Sequence, residues 1–215
     1  AIELLTRSPL KAVCENPGYP DTLQALRWCG ADATTLDVDE HGLPPDNIPK
    51  GTKAVFLTPS HHAPTGVTMP IARKQQLLAD AQKNDFVIIE DDYEFEMSFL
   101  KSPSPALKSL DTDGRVVYVG SFSKSLFPGL RLGYLVGSEP FIREARALRA
   151  SVLRHPPGHI QRTAAYFLSL GHYDALIRRM GTALHDRRGA MEEAFAKHDL
   201  RVSGRGYYGG SSFWM

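Results

Sequence analysis

The chain has 215 residues, of which 42% are hydrophobic and 9% aromatic, which is enough for a buried core and excludes disordered and fibrous classes of protein. Its 25 basic and 24 acidic residues give a formal net charge of +1, which excludes a broad electrostatic attraction to nucleic acid or to an anionic membrane. Two cysteines are too few for a disulfide framework, and the sequence has neither a run of about 20 apolar residues nor a signal-peptide pattern, so we expect a cytoplasmic protein.

Short apolar runs alternate with helical patterns along the chain, which is typical of parallel strands joined by crossover helices. In chain order the predicted elements are strand 12–14, helix 21–28, strands 33–38 and 54–57, helix 71–84, strands 86–89, 116–119 and 132–136, and a long amphipathic helix at about 173–198. From Glu139 onward the pattern is helical, with a break at Pro156-Pro157-Gly158. This order predicts an α/β fold with a mostly parallel sheet.

The two ends of the sequence suggest a piece of a longer protein. The chain begins at Ala1, without a methionine, inside a helical pattern over residues 1–5. It ends at 211–215 in an apolar pattern that predicts a strand. We expect two domains, a large one over 1–170 and the start of a smaller one over 171–215.

Polar side chains follow several of the predicted strands, and in an open parallel sheet ligands collect at the carboxyl ends of strands. After strand 86–89 the period of two places Asp91 and Tyr93 on one face and Asp92 on the other. After strand 116–119 come two hydroxyls, one amine and one guanidinium, from Ser121, Ser123, Lys124 and Arg131. We expect these groups to meet in one region.

This combination of side chains matches the requirements of pyridoxal 5'-phosphate. That cofactor needs a lysine that holds it as a Schiff base, a carboxylate that keeps its ring nitrogen protonated, and donors for a dianionic phosphate. Taken alone, each residue has a simpler reading, because a Ser-x-Ser-Lys stretch is usually a solvated loop and adjacent acids are often helix caps. Their joint occurrence at strand ends favours the cofactor.

The segment 121–134, Ser-Phe-Ser-Lys-Ser-Leu-Phe-Pro-Gly-Leu-Arg-Leu-Gly-Tyr, resembles the lysine segment of fold type I, aminotransferase-like proteins. Together with 15–19, 64–70 and 90–93, the resemblance covers most of residues 1–137. It implies that 1–170 is the large domain of a pyridoxal-phosphate-dependent transferase of fold type I, without its N-terminal part. Residues 171–215 would begin a smaller α+β domain.

The resemblance also implies a role for each site residue. Lys124 would form the internal aldimine and move the α-proton, and Asp91 would pair with the pyridinium nitrogen. Tyr93 would hydrogen-bond the phenolic oxygen of the ring, and Tyr19 would stack on the ring. The phosphate would be bound by Ser121, Ser123 and Arg131.

Two details resemble one branch of the family, the MocR-type regulators of the GntR group, in which an aminotransferase-like domain follows a winged-helix DNA-binding domain. Asp91 and Tyr93 are two residues apart, where many aminotransferases have a spacing of three. Ala63 precedes Pro64 where many aminotransferases have an asparagine that bonds the phenolic oxygen. The pair His62-Ala63 departs from the glutamine-aromatic pair that is usual in the MocR branch.

Two functions follow from these residues. The first is the effector domain of a MocR-type transcriptional regulator, which binds pyridoxal phosphate on Lys124 and forms an aldimine with an amino compound. The second is a genuine aminotransferase that acts on an amino acid and a 2-oxo acid, with Lys124 as general base. By resemblance we expect a homodimer, DNA contact only through a winged-helix domain outside this chain, and no membrane partner. His61 and His62 lack a third ligand at suitable spacing, so no metal is expected.

Overall fold

The computed structural model describes residues 10–202 and 208–215. The helix predicted over 1–5 lies outside these residues. The strands are β1 (Lys11–Asn16), β2 (Asp32–Asp37), β3 (Ala54–Leu57), β4 (Val87–Asp92), β5 (Val116–Ser121) and β6 (Gly133–Val136). The helices are α1 (Pro20–Trp28), α2 (Ile71–Asn84), α3 (Leu107–Leu110), α4 (Glu139–Val152), α5 (Gly158–Ser169) and α6 (His172–Lys197).

The six strands form one sheet in the order β2-β1-β3-β4-β5-β6. All neighbouring pairs are parallel except β5 and β6, which are antiparallel. The chain passes from β1 outward to β2 and then returns to the other side of β1 with β3. The order of the strands therefore reverses between β1 and β3, and a crevice for a ligand is expected beyond their carboxyl ends.

Both faces of the sheet are covered, which explains why the central strands are apolar at consecutive positions. In β4, Ile88 packs with the cluster under α2 and α3, and Ile89 packs with the cluster that includes Leu26 of α1. The first cluster consists of Val13, Leu43, Val55, Leu57, Met69, Leu77, Ala81, Phe86, Ile88, Leu107 and Val116. The second consists of Leu10, Ala12, Cys14, Leu26, Ala54, Phe56, Ile89 and Val117.

The mostly parallel α/β sheet is confirmed, and the helix predicted at 71–84 has these bounds in the structure. The strand predicted at 211–215 is wrong, because the described residues there are in no strand. Phe213 instead packs on Phe195 with ring centroids 5.0 Å apart, and the Arg188 guanidinium lies 4.4 Å from its ring. The domain division at 170/171 falls between α5 and α6 and stays a prediction. None of the helices in the described parts of the chain combines the length and apolarity needed to cross a bilayer.

Candidate functional site

A cavity of about 710 Å³ lies at the point where the strand order reverses. Its floor is the apolar face of the sheet, and one wall is helix α1 with the loop that precedes it. Three of its polar groups lie at the carboxyl ends of β1, β3 and β4, as the topology predicts: Glu15 and Asp91 are next to the last residues of their strands, and Thr58 follows β3. It is lined by Cys14, Glu15, Gly18, Tyr19, Thr22, Ala25, Trp28, Cys29, Phe56, Leu57, Thr58, Ile89, Asp91, Val119 and Leu135.

Asp91 is the more buried of the two predicted site residues that line the cavity. It lies near the end of β4, on the same face as Ile89, and its side chain is half-buried among apolar neighbours. This burial raises the pKa of its carboxyl group from 3.8 to about 6. No hydrogen bond or ion pair joins this carboxyl to another residue in 10–202 or 208–215. A desolvated carboxylate without a partner is suited to bind a cation or an N–H donor that enters the cavity.

Tyr19 faces the same cavity from the loop between β1 and α1. The turn at Gly18 is tight, because a Cβ at that position would collide with the carbonyl oxygen of Glu15. The ring of Tyr19 is 56% exposed, and its hydroxyl donates a hydrogen bond to Asp21 over 2.9 Å. This bond to a carboxylate raises the pKa of Tyr19, and the nearby positive charge of Arg131 opposes the rise. Tyr19 and Asp91 line the same cavity.

The predicted phosphate ligands cluster at the carboxyl end of β5. Ser121 is the last residue of that strand, and its Oγ accepts a hydrogen bond of 3.1 Å from the backbone N–H of Ser123. Arg131 is exposed and adopts a left-handed backbone conformation with φ of 49°. That conformation ends the short turn after β5 and returns the chain into β6, so that Arg131 stays near the strand end that carries the serines.

Lys124 and Tyr93 do not line the Asp91 cavity. The exposed Lys124 borders a second cavity of about 280 Å³ together with Glu94, Arg187 and Ser211. Tyr93 follows β4 directly, and burial raises its pKa well above the usual value, with contributions from Glu94 and Asp91. Of the predicted site residues, Tyr19 and Asp91 line the first cavity, and Lys124 lines the second.

Asp92 faces the opposite side of the sheet from Asp91, as the strand period predicts. Its Oδ2 accepts hydrogen bonds from Ser60 at 2.9 Å and from the hydroxyl of Tyr118 at 3.2 Å. Glu90, on the same face, accepts the backbone N–H groups of Leu107 and Lys108 at 2.7 and 2.8 Å and so begins helix α3. These buried acids support the fold beneath the site and leave Asp91 as the member of the run that faces the cavity.

Glu15, Thr58 and His62 are functional candidates that the sequence reasoning missed. Glu15 is the last residue but one of β1 and Thr58 follows β3, so both lie where the strand order reverses. The available signal was the position of Glu15 directly after an apolar run, which is the same signal that identified Asp91. For His62 the sequence indicated a metal ligand without enough partners and a departure from the residue pair that is usual in the MocR branch. In the described residues, no group of three His, Cys, Asp or Glu side chains is placed to hold a metal ion.

Comparisons with known proteins agree with this architecture. The aminotransferase class I and II family matches residues 2–206. The HTH-type transcriptional regulator TauR of Rhodobacter capsulatus is 57% identical over 215 residues, which cover all of this chain and 44% of TauR. The probable rhizopine catabolism regulatory protein MocR of Rhizobium meliloti is 31% identical over 185 residues, 86% of this chain and 38% of that protein.

Solved structures show the same fold. The kynurenine aminotransferase of Pyrococcus horikoshii, solved in complex with PMP, superposes with a TM-score of 0.86 and 29% identity. The match covers 97% of this chain and 55% of that enzyme. The chain therefore spans about half of the solved enzyme and less than half of the curated regulators. The resemblance found in segment 121–134 is confirmed, and the chain belongs to the aminotransferase class I and II family, in which its sequence relatives TauR and MocR are regulators.

Proposed function

We propose that this chain is the pyridoxal-phosphate-binding effector domain of a MocR-type transcriptional regulator. In this proposal Lys124 holds the cofactor covalently, and an amino compound replaces the lysine on it as the signal. DNA binding would belong to a winged-helix domain elsewhere in the gene product, and the protein would act as a homodimer. The similarity to TauR over the whole chain and the fold shared with aminotransferases support this assignment.

The observation that carries the proposal is the burial of the Asp91 carboxyl group without a hydrogen-bond partner in the described chain. A half-buried carboxyl with no partner in the described chain, in a cavity with apolar walls, fits the protonated ring nitrogen of the cofactor. The cation would offset the burial of the carboxylate, because an opposite charge within a few ångströms favours the ionised form. When bound, the cofactor supplies an electron sink for the amino compound.

The remaining donors also fit the cofactor. Tyr19 presents an exposed aromatic face beside Asp91, which is suited to stack on a planar ring. Ser121, Ser123 and Arg131 supply hydroxyl, backbone and guanidinium donors at one strand end, a set that suits a phosphate group. We propose that Lys124 reaches the ring from the turn after β5, and that Tyr93 bonds the phenolic oxygen.

The first experiment tests the cofactor site on the complete gene product. We expect an absorbance band of a lysine-bound cofactor on addition of pyridoxal phosphate, and borohydride reduction followed by peptide mass mapping should place the label on Lys124. The Lys124→Ala variant should lose both signals, and a matched variant at the exposed Lys83 should keep them. Equal labelling of several lysines, or no band, would contradict the proposal.

A genuine aminotransferase is the second candidate, favoured by the solved relative from Pyrococcus horikoshii. Both functions use the same residues, so turnover must separate them. A regulator should show spectral change with amino compounds, little transamination, and binding of operator DNA that depends on the amino compound. Sustained conversion of an amino acid and a 2-oxo acid at about 1 s⁻¹ or faster would favour the enzyme.

A further inference from the structure

Glu15 is a buried acid that connects two loops of the site. Its Oε2 accepts hydrogen bonds of 2.9 Å from both the backbone N–H and the hydroxyl of Thr58. The Thr58 hydroxyl in turn accepts the backbone N–H of Ala63 over 3.1 Å. Glu15 is only 7% exposed, and Tyr19 lies four residues further along the chain, in the loop that follows β1. Through this one carboxyl, the loop that carries Tyr19 is tied to the loop over residues 58–65.

The second oxygen of the same carboxyl has no partner. Glu15 Oε1 is fully buried without a hydrogen bond to the described chain, and so is Nε2 of the equally buried His62. His62 Nε2 lies 3.5 Å from Glu15 Oε2, and its Nδ1 lies 2.7 Å from the Thr65 hydroxyl. An ionised carboxylate with one buried oxygen unsatisfied would be costly, because a charge without hydrogen bonds is poorly solvated there. A proton on Glu15 removes that charge.

We propose that Glu15 is a positioning residue that works as a neutral carboxylic acid, holding the Tyr19 loop against loop 58–65 and leaving Asp91 as the carboxylate available to the bound cofactor. The statement about Asp91 and the cofactor rests on the proposed function. The statements about the proton on Glu15 and the contact between the two loops do not depend on a cofactor.

The net effect of the groups around Glu15 favours this neutral state. Burial is the main cause that raises its pKa from 4.5 to about 8; the hydrogen bonds from Thr58 act against the rise, and the charge of Asp91 adds to it. Burial also lowers the pKa of His62 to about 4, so the histidine is neutral and does not form an ion pair with Glu15 at pH 7. Burial raises the pKa of the thiol of the adjacent Cys14 to about 12, so the thiol stays protonated.

The first test uses the complete gene product without cofactor. The infrared difference spectrum between the wild type and Glu15→Gln should contain the band of a protonated carboxyl group at pH 6.5, and this band should give way to a carboxylate band above about pH 8. The matched variant Glu193→Gln, at an exposed position of α6, controls for the removal of a glutamate away from the site. A carboxylate band from Glu15 at pH 6.5 would overturn the proposal and indicate an ion pair with His62.

The second test adds pyridoxal phosphate. Wild type should show a pH-dependent change of the cofactor absorbance as Glu15 ionises, and Glu15→Gln should lack this change and keep the affinity within about threefold, because the amide oxygen still accepts from Thr58. Glu15→Ala, checked for folding by circular dichroism, should bind about tenfold more weakly. An unchanged pH profile in Glu15→Gln would contradict the proposal. If wild type binds no cofactor, the proposed function fails, and the infrared result still decides the protonation of Glu15.

Discussion

Asp91 and Asp92 are adjacent in β4, and their carboxyl groups face opposite sides of the sheet. Asp91 faces the cavity without a hydrogen bond to the described chain, and Asp92 accepts bonds from Ser60 and Tyr118. Burial raises both pKa values, to about 6 and about 7. Asp91 is therefore placed to contact a ligand, and the adjacent Asp92 supports the fold.

Asp91→Asn should weaken binding of pyridoxal phosphate and leave the unliganded fold intact. The substitution keeps the shape of the side chain and removes the charge that would pair with the ring nitrogen. We expect a loss of about 2 kcal/mol, roughly 30-fold in affinity, in an absorbance titration. The free energy of unfolding without cofactor should not fall, since no hydrogen bond of Asp91 is lost.

Asp92→Ala serves as the matched control, with the opposite pattern. It leaves the hydroxyls of Ser60 and Tyr118 without their acceptor, and we expect the free energy of unfolding to fall by about 1–3 kcal/mol. Cofactor affinity should change much less than in Asp91→Asn. An equal loss of affinity in Asp91→Asn and Asp92→Ala would show that the contribution of these acids to cofactor binding does not depend on which face of the sheet they occupy.

Tyr19 should contribute to cofactor binding through its ring and not through its hydroxyl, which is already bonded to Asp21. Tyr19→Ala should lower affinity for pyridoxal phosphate by about 1 kcal/mol, roughly fivefold, and Tyr19→Phe should retain wild-type affinity. The two dissociation constants are measured by the same absorbance titration. A Tyr19→Phe variant as weak as Tyr19→Ala would assign the role to the hydroxyl.

Gly120 should be intolerant of a side chain. It pairs with Tyr134 across β5 and β6, and the Tyr134 ring lies over the glycine so closely that a Cβ would overlap with it. Gly120→Ala should lower the free energy of unfolding by about 1–3 kcal/mol in urea denaturation, because the ring and β6 must move.

Two further variants complete this test. Gly189→Ala in α6, where a Cβ meets nothing within 4 Å, should be neutral or slightly stabilising. Combining Gly120→Ala with Tyr134→Ala should make the glycine substitution itself less costly. A Gly120→Ala variant as stable as wild type would contradict the close packing of the ring.

The stability of the unliganded protein should fall between pH 6.5 and pH 8. In the folded state the pKa values of Glu15 and Asp92 are raised to about 8 and about 7, so the folded state holds more protons than the unfolded chain in this window, and stability is lost as pH rises. Below pH 6.5 the lowered pKa values of His61 and His62 act in the other direction, because the unfolded chain binds protons there.

Urea denaturation at half-unit steps checks this window. We expect a decrease of about 1–2 kcal/mol from pH 6.5 to pH 8 in wild type and a smaller decrease in Glu15→Gln. A stability that rises over this range would show that these acids are ionised in the folded state at neutral pH.

Local patterns in the sequence were enough to predict the helices and strands that have a long, periodic spacing of apolar residues. The helix at 71–84 and the buried strands β3, β4 and β5 were predicted from apolar spacing, because burial of one helical face or of both strand faces leaves a period in the sequence. The family resemblance came from segment 121–134, and the strand period alone placed Asp91 and Asp92 on opposite faces.

Other features depended on contacts between distant parts of the chain. The apolar residues at 211–215 have the composition of a strand, and they form none because no described strand pairs with them. Lys124 follows β5 as predicted, and only the packing of α6 and Glu94 places it at a second cavity. Sequence spacing carries no information on either outcome.

The sequence by itself therefore determined the class of fold, the family and the identity of the chemical groups, since these depend on local order along the chain. The tertiary structure alone decided which of those groups are desolvated and share a cavity. Glu15 illustrates the reason: it is one charged residue at a strand end in the sequence, and it becomes a candidate neutral acid only when Thr58, His62 and Asp91, 43, 47 and 76 residues away, surround it. Burial and electrostatic environment are properties of these non-local neighbours.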